Sequence, residues 1–361
     1  MKKSVLLLVS LAAGCSALWG TLQAGTAPVK IGEPPPALQV GKWAQGEPVT
    51  GFEKGKTYIV EFWATWCGPC RVSIPHLNEI HQKFKDKGLV VIGQDCWEND
   101  ETLVAPFIKK MGDKMTYRVA FDNKEGNSKG KMAENWMLAA GQNGIPTAFI
   151  VNPDGLLAWI GHPMNLNDGI IASIIDRTFD IQKAAAAFLN QGKINALQQA
   201  FGKGIQNQDW AAAEEAVAEL EKVGDKDEAR EMRVYLLSSK RDYKGAYGVL
   251  ESIHPKSGTL KPSNQASQAF NQFAWGIAID EAATPEDLAL GSKAADRGIA
   301  LAEDGGAAIL DTQARLLFRT DKRDEAIQTE ERALKLAPTE LRAELEKTLA
   351  SYRKGELPKA N

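Results

Sequence analysis

Cysteine is scarce in this chain, which has only four in 361 residues. A disulfide-stapled mini-domain packs more cysteines into a much shorter chain, so that class is excluded. A strong charge imbalance is also absent, because 43 basic residues stand against 46 acidic ones. Nucleic-acid-binding domains usually carry a clearly basic patch, so we expect no nucleic-acid partner. The apolar share of 44% is typical of a globular protein, and the length allows two or three domains.

Long hydrophobic runs are missing except near the N-terminus. A largely apolar stretch from Val5 to about Trp19 follows Lys2 and Lys3. It is shorter than the roughly 20 residues that a membrane-spanning helix needs. A short basic region followed by such a run is typical of an export signal. We therefore expect residues 1–24 to be a signal peptide and the mature chain to lie in the periplasm or cell envelope.

Two ways of processing this signal remain open. Leu22-Gln23-Ala24 could precede ordinary cleavage before Gly25. Alternatively, the segment from Leu11 to Cys15 resembles a bacterial lipobox, which would make Cys15 a lipidated N-terminus and anchor the protein to the membrane. The usual large aliphatic residue three positions before the cysteine is alanine here.

The part of the chain between residues 25 and 180 mixes strand and helix patterns. Residues 70–87 carry apolar side chains at helical spacing and are followed by Gly88, a typical C-terminal cap. Three β-rich or apolar runs are short enough to be strands, and a fourth completes a hairpin around Asn-Pro-Asp-Gly. These runs are 57–63, 89–92, 148–151 and 156–160. Strands that alternate with helices predict an α/β domain.

Residues 181–350 have helical periodicity and no convincing β run, and residues 351–361 read as a C-terminal tail. Residues 321–338 resemble the second helix of a tetratricopeptide repeat, with Ala326, Ala333 and Pro338 at its spacing. Weaker echoes begin at Asp209 and Asp242. We expect stacked helical hairpins that share one core and can bind a protein or peptide ligand. A plain helical bundle is the alternative.

The chemistry of the chain is concentrated in Cys67-Gly68-Pro69-Cys70, which follows a predicted strand and opens a predicted helix. A thiolate at a helix N-terminus faces unpaired N–H groups and the positive end of the helix dipole. Both favour the charged form of the sulfur and lower its pKa. Cys67 is therefore the predicted nucleophile and the more exposed sulfur. Cys70 is the predicted resolving thiol, which attacks the mixed disulfide that Cys67 forms.

The segment Glu61-Phe-Trp-Ala-Thr-Trp-Cys-Gly-Pro-Cys-Arg71, together with Gly144-Ile-Pro-Thr147, resembles the thioredoxin superfamily, in particular envelope thiol–disulfide oxidoreductases of the TlpA/ResA type. The resemblance covers roughly residues 28–180. It implies that Pro146 is cis and packs beside the active-site disulfide. It also implies that the Ile145 backbone pairs with an extended substrate peptide. Trp66 would then contribute to the rim of the site.

The same resemblance places Glu61 at a buried acidic position beneath the cysteines. There it would help to move the proton of Cys70 during resolution. The lysine that partners this acid in cytoplasmic thioredoxins is missing, because the next strand is purely apolar at residues 90–92. A buried carboxyl without a cationic partner is expected to have a raised pKa.

Other readings of the cysteines are weaker. A zinc site would need further ligands, and the four histidines are scattered without zinc-finger spacing, so we expect no metal. Arg71 rather than histidine follows Cys70, which excludes c-type haem attachment. Cys96 is most simply interpreted as a buried small residue, with a regulatory thiol or an intermolecular partner as the alternative. A peroxiredoxin places Thr three and Pro seven residues before its cysteine, whereas Ala64 and Val60 stand there before Cys67.

These observations predict an α/β thioredoxin-like domain followed by an all-α helical-repeat domain. The expected function is reduction of protein disulfides in the cell envelope, with no cofactor beyond the cysteine pair. The resemblance implies disulfide-containing envelope proteins as substrates and a membrane thiol reductase as electron donor. Two alternatives remain: a repeat-based binding module with a vestigial redox domain, and a thiol peroxidase.

Overall fold

A computed structural model describes residues 28–224, 226–254, 263–303 and 305–359. The predicted signal peptide and Cys15 lie outside these residues. The chain divides into two compact units after Phe188. This division falls inside the long helix α4 (Ile181–Gln206).

The first unit is built on a six-stranded sheet in the order β1-β4-β3-β2-β5-β6. Strand β2 pairs parallel with β3, and β3 pairs parallel with β4. The other three pairings, β1 with β4, β2 with β5, and β5 with β6, are antiparallel. The strands are β1 (Val40–Gln45), β2 (Thr57–Trp63), β3 (Leu89–Asp95), β4 (Arg118–Asp122), β5 (Thr147–Val151) and β6 (Leu157–Gly161).

Strand β2 lies in the middle of this sheet, and all seven of its residues are buried. Successive side chains of a strand point to opposite faces. Ile59 and Trp63 accordingly pack into one apolar core together with both cysteines of the C-x-x-C motif. Phe62 packs into a second core with Trp136 and Phe149. A strand buried on both faces reads as a nearly continuous apolar run, which is why the sequence revealed β2.

Three helices of the first unit precede α4. Helix α1 (Gly68–Phe84) buries the face that carries Cys70, Ile74 and Leu77, and the 3₁₀ turn that follows it ends at Gly88 with φ 85°. Helix α2 (Val104–Met111) follows β3. Helix α3 (Asp168–Ile175) follows β6.

The predicted hairpin is present between β5 and β6. The Asn152 side chain accepts hydrogen bonds from the backbone N–H groups of Asp154 and Leu156 at 3.1 and 2.9 Å. Gly155 has φ 83°, a conformation that an L side chain adopts only with strain. The turn chemistry read from the sequence therefore sets the register of these two strands.

The second unit is helical throughout its described residues. After α4 its helices are α5 (Trp210–Val223), α6 (Lys226–Ser239), α7 (Tyr243–Ile253), α8 (Asn264–Ile279), α9 (Pro285–Leu301), α10 (Ala307–Arg319), α11 (Arg323–Leu336) and α12 (Thr339–Lys354). Helix α12 includes the first four residues of the predicted C-terminal tail, 351–354. No helix within the described residues is both long enough and apolar enough to cross a membrane.

A turn recurs between these helices. Gln208, Arg241 and Asp321 all have φ near 60°, and each lies two residues before the start of α5, α7 or α11. The fourth residue of each helix is a fully buried alanine: Ala213, Ala246 and Ala326. A small residue here lets a helix pack closely on its neighbour. The repeat-like segment 321–338 and its two weaker echoes thus mark equivalent positions in repeated helical hairpins.

Candidate active site

The cysteine pair lies where β2 gives way to α1. Cys67 and Cys70 form a disulfide with an S–S distance of 2.04 Å. Cys67 is the N-cap residue of α1, and its sulfur accepts a hydrogen bond from the Cys70 N–H at 3.1 Å. The first turn of α1 contains no acidic residue. An N-terminus of this kind stabilises negative charge on the Cys67 sulfur.

The surroundings of the disulfide are unevenly exposed. Cys67 keeps 2% of its surface exposed and Cys70 none, so Cys67 is the more accessible cysteine by a small margin. Trp66 is 52% exposed, and Gly68 and Pro69 are also exposed. A reaction partner can therefore contact Trp66, Gly68 and Pro69 around a sulfur that is itself recessed.

The segment before β5 lies against the same sulfur. The Ile145–Pro146 peptide bond is cis, as the resemblance implies. The Ile145 carbonyl oxygen is 3.6 Å from Sγ of Cys67. Thr147, the first residue of β5, pairs with Phe62 of β2. Pairing in the sheet therefore holds this segment beside the cysteines.

Glu61 is fully buried on the face of β2 that carries Ile59 and Trp63. Ser73 of α1 donates a hydrogen bond to Oε1 of Glu61, and Tyr117 donates one to Oε2, both at 3.0 Å. Burial raises the pKa of Glu61 to about 7, and the two hydroxyl donors partly oppose that rise. The raised pKa expected from the sequence is thus present, with burial as its main cause.

The loop between β2 and α1 is held at the Thr65 peptide. The Thr65 N–H donates to the buried carboxylate of Glu98 at 2.8 Å. The guanidinium of Arg71 donates two hydrogen bonds, of 3.1 and 2.7 Å, to the Thr65 carbonyl oxygen. Trp66 is fixed in turn, because its indole N–H donates to the Trp97 carbonyl oxygen at 3.2 Å. These contacts orient the residues that lead directly into Cys67.

The acidic segment after β3 has two roles in the structure. Asp100 caps the turn that precedes α2, since its side chain accepts the Thr102 N–H at 2.9 Å. Asp95 is buried, and its pKa is raised to about 8, first by burial and then by the neighbouring Glu98 carboxylate. Cys96 is also buried and packs into the core with Phe62 and Trp136, on the other side of the sheet from Cys67. Burial raises the pKa of its thiol.

Sequence reasoning missed Ser73, Tyr117 and Glu98. Ser73 carried a weak signal, since it follows Cys70 by three residues and so shares its helix face. Tyr117 and Glu98 carried none, because each meets its partner only through pairing of strands distant in sequence.

The fold and the paired cysteines are those of a thioredoxin-like protein. Residues 31–160 match the AhpC/TSA family. Protein FixW of Rhizobium leguminosarum is 32% identical over 154 residues, which are 41% of this chain and 67% of FixW. Thiol-disulfide oxidoreductase ResA of Bacillus anthracis is 33% identical over 127 residues, 33% of this chain and 66% of ResA. The crystal structure of a thiol-disulfide isomerase from Corynebacterium glutamicum matches with a TM-score of 0.34 and 20% identity, covering 41% of this chain and 97% of that one.

The matched segments span about two thirds of each of the two named relatives. The chain belongs to the thioredoxin-like family of thiol–disulfide oxidoreductases that these relatives represent. The family match lies wholly within the first unit.

Proposed function

We propose that this protein reduces disulfide bonds in other proteins, with Cys67 as nucleophile and Cys70 as resolving thiol. The observation that carries the proposal is the position of Cys67 at the N-cap of α1, with its sulfur accepting the Cys70 N–H. That hydrogen bond and the helix dipole both favour a thiolate at Cys67 once the disulfide is reduced. The three-residue spacing keeps Cys70 within reach of the same sulfur.

The reaction proceeds in two exchanges. The Cys67 thiolate attacks one sulfur of the substrate disulfide, forms a mixed disulfide and releases the other substrate sulfur as a thiolate, which takes up a proton. Cys70 then loses its proton and attacks Sγ of Cys67, which releases the second substrate thiolate. Two electrons pass to the substrate, and the Cys67–Cys70 disulfide remains. A dithiol donor must reduce it again.

Glu61 is the proposed acceptor of the Cys70 proton. Its carboxyl is connected to the Cys70 region through Ser73, whose hydroxyl lies 3.0 Å from Oε1 of Glu61 and 3.2 Å from the Cys70 carbonyl oxygen. A general base is most effective when its pKa lies near the working pH. The raised pKa of about 7 meets that condition.

The substrate is proposed to bind across Trp66, Gly68, Pro69 and the cis-proline segment. The Ile145 carbonyl oxygen beside Cys67 can accept a hydrogen bond from an extended substrate strand. A main-chain contact of this kind suits many sequences, so it favours protein disulfides as a class rather than a single client.

The proposed direction of electron flow is reductive. The Gly-Pro dipeptide between the cysteines resembles that of reducing thioredoxins, whose potential is about −270 mV. We place the protein in the cell envelope on the strength of its N-terminal sequence. A membrane thiol reductase is the proposed electron donor, because that compartment does not keep dithiols reduced.

Trapping tests the roles of the two cysteines. In cells that produce Cys70→Ser, mixed disulfides between Cys67 and its clients should accumulate, whereas Cys67→Ser should trap none. Reduction of a model protein disulfide such as that of insulin should be lost in both variants. Equal loss of activity with no trapped species in Cys70→Ser would contradict the assignment.

Membrane anchoring through Cys15 is tested separately. If Cys15 is lipidated, the wild-type chain should incorporate radiolabelled palmitate and sediment with membranes, and Cys15→Ser should do neither. If cleavage follows Ala24, wild type and variant should both be recovered as unlabelled chains that begin at Gly25.

A partner-binding role of the helical unit is the second proposal. A groove of about 620 Å³ lies among α6, α7 and α8, and its lining includes Tyr235, Leu250, Gln268, Gln272 and Phe273. Exposed amides beside aromatic side chains suit the backbone and side chains of an extended peptide. The helical unit would then select clients for the cysteines.

The selection role has a direct test. A photo-crosslinking residue at position 272 should capture the same clients that Cys70→Ser traps through Cys67. The matched control is position 328, an exposed glutamine of α11 outside the groove. If the trapped clients crosslink equally at both positions or at neither, the groove does not select them.

A further inference from the structure

The site contains two hydroxyl groups whose role the proposed chemistry leaves open. Tyr117 and Ser73 both donate to Glu61, one to each carboxylate oxygen. Tyr117 is 1% exposed and Ser73 is fully buried, so neither hydrogen bond is exchanged with bulk solvent. Two donors inside a core make a carboxylate more favourable there than burial alone would allow.

Among the described residues, the groups around Glu61 are otherwise uncharged. Gly93 of β3 and Ala148 of β5 lie opposite Glu61 in the sheet. Helix α1 contributes Ser73 and Cys70 to this side of the sheet, together with His81, whose ring packs edge-on against Tyr117 at 6.3 Å. Burial lowers the pKa of His81, which favours its neutral form. The titratable group nearest along the same face of β3 is Asp95, two residues beyond Gly93.

The backbone at Gly93 leaves the space that Tyr117 needs. A Cβ on Gly93 would lie 2.9 Å from Cε2 of Tyr117 and 3.0 Å from Nε1 of Trp63. Both are ring atoms of buried side chains that cannot move aside freely. The absence of a side chain at Gly93 therefore leaves room for the Tyr117 ring beside β3, where its hydroxyl reaches the Glu61 carboxylate.

We propose that Tyr117 and Ser73 are positioning residues for the resolving step: their two hydroxyl groups hold Glu61 as the carboxylate that takes the proton from Cys70. The inference rests on the proposed role of Glu61 as the proton acceptor. Burial and the Glu61 carboxylate raise the pKa of Tyr117 itself, so its hydroxyl stays protonated and remains a donor. In this arrangement two neutral donors replace a cationic partner.

The two exchanges can be followed separately in the reaction of the reduced protein with 5,5′-dithiobis(2-nitrobenzoate). Attack by Cys67 releases one coloured thiolate, and attack by Cys70 on the resulting mixed disulfide releases a second. A Cys96→Ala background removes the third thiol. The pH dependence of the second release reports the resolving step, while the first release serves as an internal reference.

Tyr117→Phe should move the pH midpoint of the second release upward by about one unit, since a hydrogen bond to a charged group typically contributes that much. At a pH below the midpoint the rate should fall up to about tenfold. Ser73→Ala should shift the midpoint in the same direction, and the first release should be unchanged in both variants. The matched control is Tyr58→Phe, because Tyr58 is equally buried but faces the other core, where its hydroxyl accepts the Glu53 N–H at 3.1 Å.

The Glu61→Gln variant distinguishes failure of the proposed role of Glu61 from failure of the positioning role of Tyr117 and Ser73. In the Glu61→Gln protein the titration step of Glu61 should disappear from the pH profile of the second release. Adding Tyr117→Phe to this variant should produce no further shift. If Glu61→Gln itself leaves the second release unchanged, the proposed role of Glu61 fails and this inference fails with it. If Glu61→Gln removes the step but Tyr117→Phe and Ser73→Ala leave the midpoint in place, only the positioning role is wrong.

Discussion

Sγ of Cys67 lies 3.6 Å from the carbonyl oxygen of Ile145, although 78 residues separate the two in sequence. The contact combines two requirements of the proposed reaction at one point. The sulfur that attacks a disulfide lies beside a main-chain acceptor that can hold the substrate strand. Pairing of Thr147 with Phe62 in the sheet fixes this distance independently of any substrate.

Selective alkylation is the first prediction. When the reduced protein is treated with iodoacetamide, Cys67 should react before Cys70 and Cys96, because Cys67 alone occupies the helix N-cap. The rate should reach half its maximum at a pH below about 8.5, the ordinary pKa of a cysteine thiol. Peptide mass mapping at a series of pH values measures both properties. Earlier alkylation of Cys70 or Cys96 would contradict the assignment of the nucleophile.

The second prediction concerns the pH dependence of stability at Glu61. Its folded-state pKa of about 7 lies above the ordinary glutamate value of about 4.5, so the folded state holds the proton more tightly. This contribution is fully present below about pH 4.5 and is lost as the pH rises through about 7, at a cost of roughly 3 kcal/mol. Glu61→Gln should therefore flatten the fall in the free energy of unfolding across this range.

Calorimetric unfolding of wild type and Glu61→Gln between pH 4.5 and 8 makes this comparison. The raised pKa of Asp95 is common to both proteins and cancels in the difference. Parallel curves over the whole range would show that Glu61 ionises as it does in water.

A third prediction concerns the space at Gly93. Gly93→Ala should destabilise the first unit by about 1–3 kcal/mol, because the added methyl overpacks Tyr117 and Trp63. It should also displace the phenol from Glu61, and so mimic the resolving defect expected for Tyr117→Phe. Denaturant unfolding and the two-phase thiol assay measure the two effects.

The matched control for that experiment is Gly248→Ala in α7. No heavy atom lies within 4 Å of a Cβ built there. Replacement of an exposed helical glycine by alanine should stabilise the second unit by about 0.5–1 kcal/mol. If Gly93→Ala leaves the free energy of unfolding unchanged, Tyr117 does not pack closely against position 93.

A buried acid pair in the second unit gives the fourth prediction. Glu330 of α11 is fully buried, and the negative charge of Asp311 of α10 acts on it, so we expect this pair of acids to hold a proton. Burial and the Asp311 charge raise the pKa of Glu330 to about 9. Because the folded pKa is raised, the stabilising contribution is lost as the pH rises through about 9.

Glu330→Gln should keep the stability of wild type at pH 7 and lose less of it at pH 10. Glu331→Gln is the control, since Glu331 is partly exposed and pairs with Arg353 on the surface. Thermal unfolding of wild type and both variants at pH 7 and pH 10 measures these losses of stability. Identical alkaline losses in wild type and Glu330→Gln would contradict a protonated pair.

Much of the fold follows from local patterns. The apolar run of β2, the helical spacing of α1 and the turn at Asn152 each determine their element locally, and the structure confirms all three. Strands β1 and β4 were missed. Strand β1 lies at the edge of the sheet and has only partly buried or exposed residues, so its sequence carries no apolar run.

The residues of the site also differ in whether a local sequence pattern predicts them. Cys67 and Cys70 are recognisable because the helix that positions them begins between them. Glu61 was reached through the family resemblance alone. Tyr117 meets Glu61 from 56 residues away, through the pairing of β2, β3 and β4. No local pattern encodes such a contact, because it depends on the order of the strands and on the missing side chain at Gly93.

The reduction potential of the Cys67–Cys70 pair tests the central claim most directly. The mature protein carrying Cys96→Ser would be equilibrated against dithiothreitol or glutathione buffers, and the fraction of disulfide would be measured after acid quenching. We predict a value near or below about −250 mV, in the range of reducing thioredoxins. A value between about −120 and −180 mV, the range of oxidases and isomerases, would contradict the assignment as a reductase.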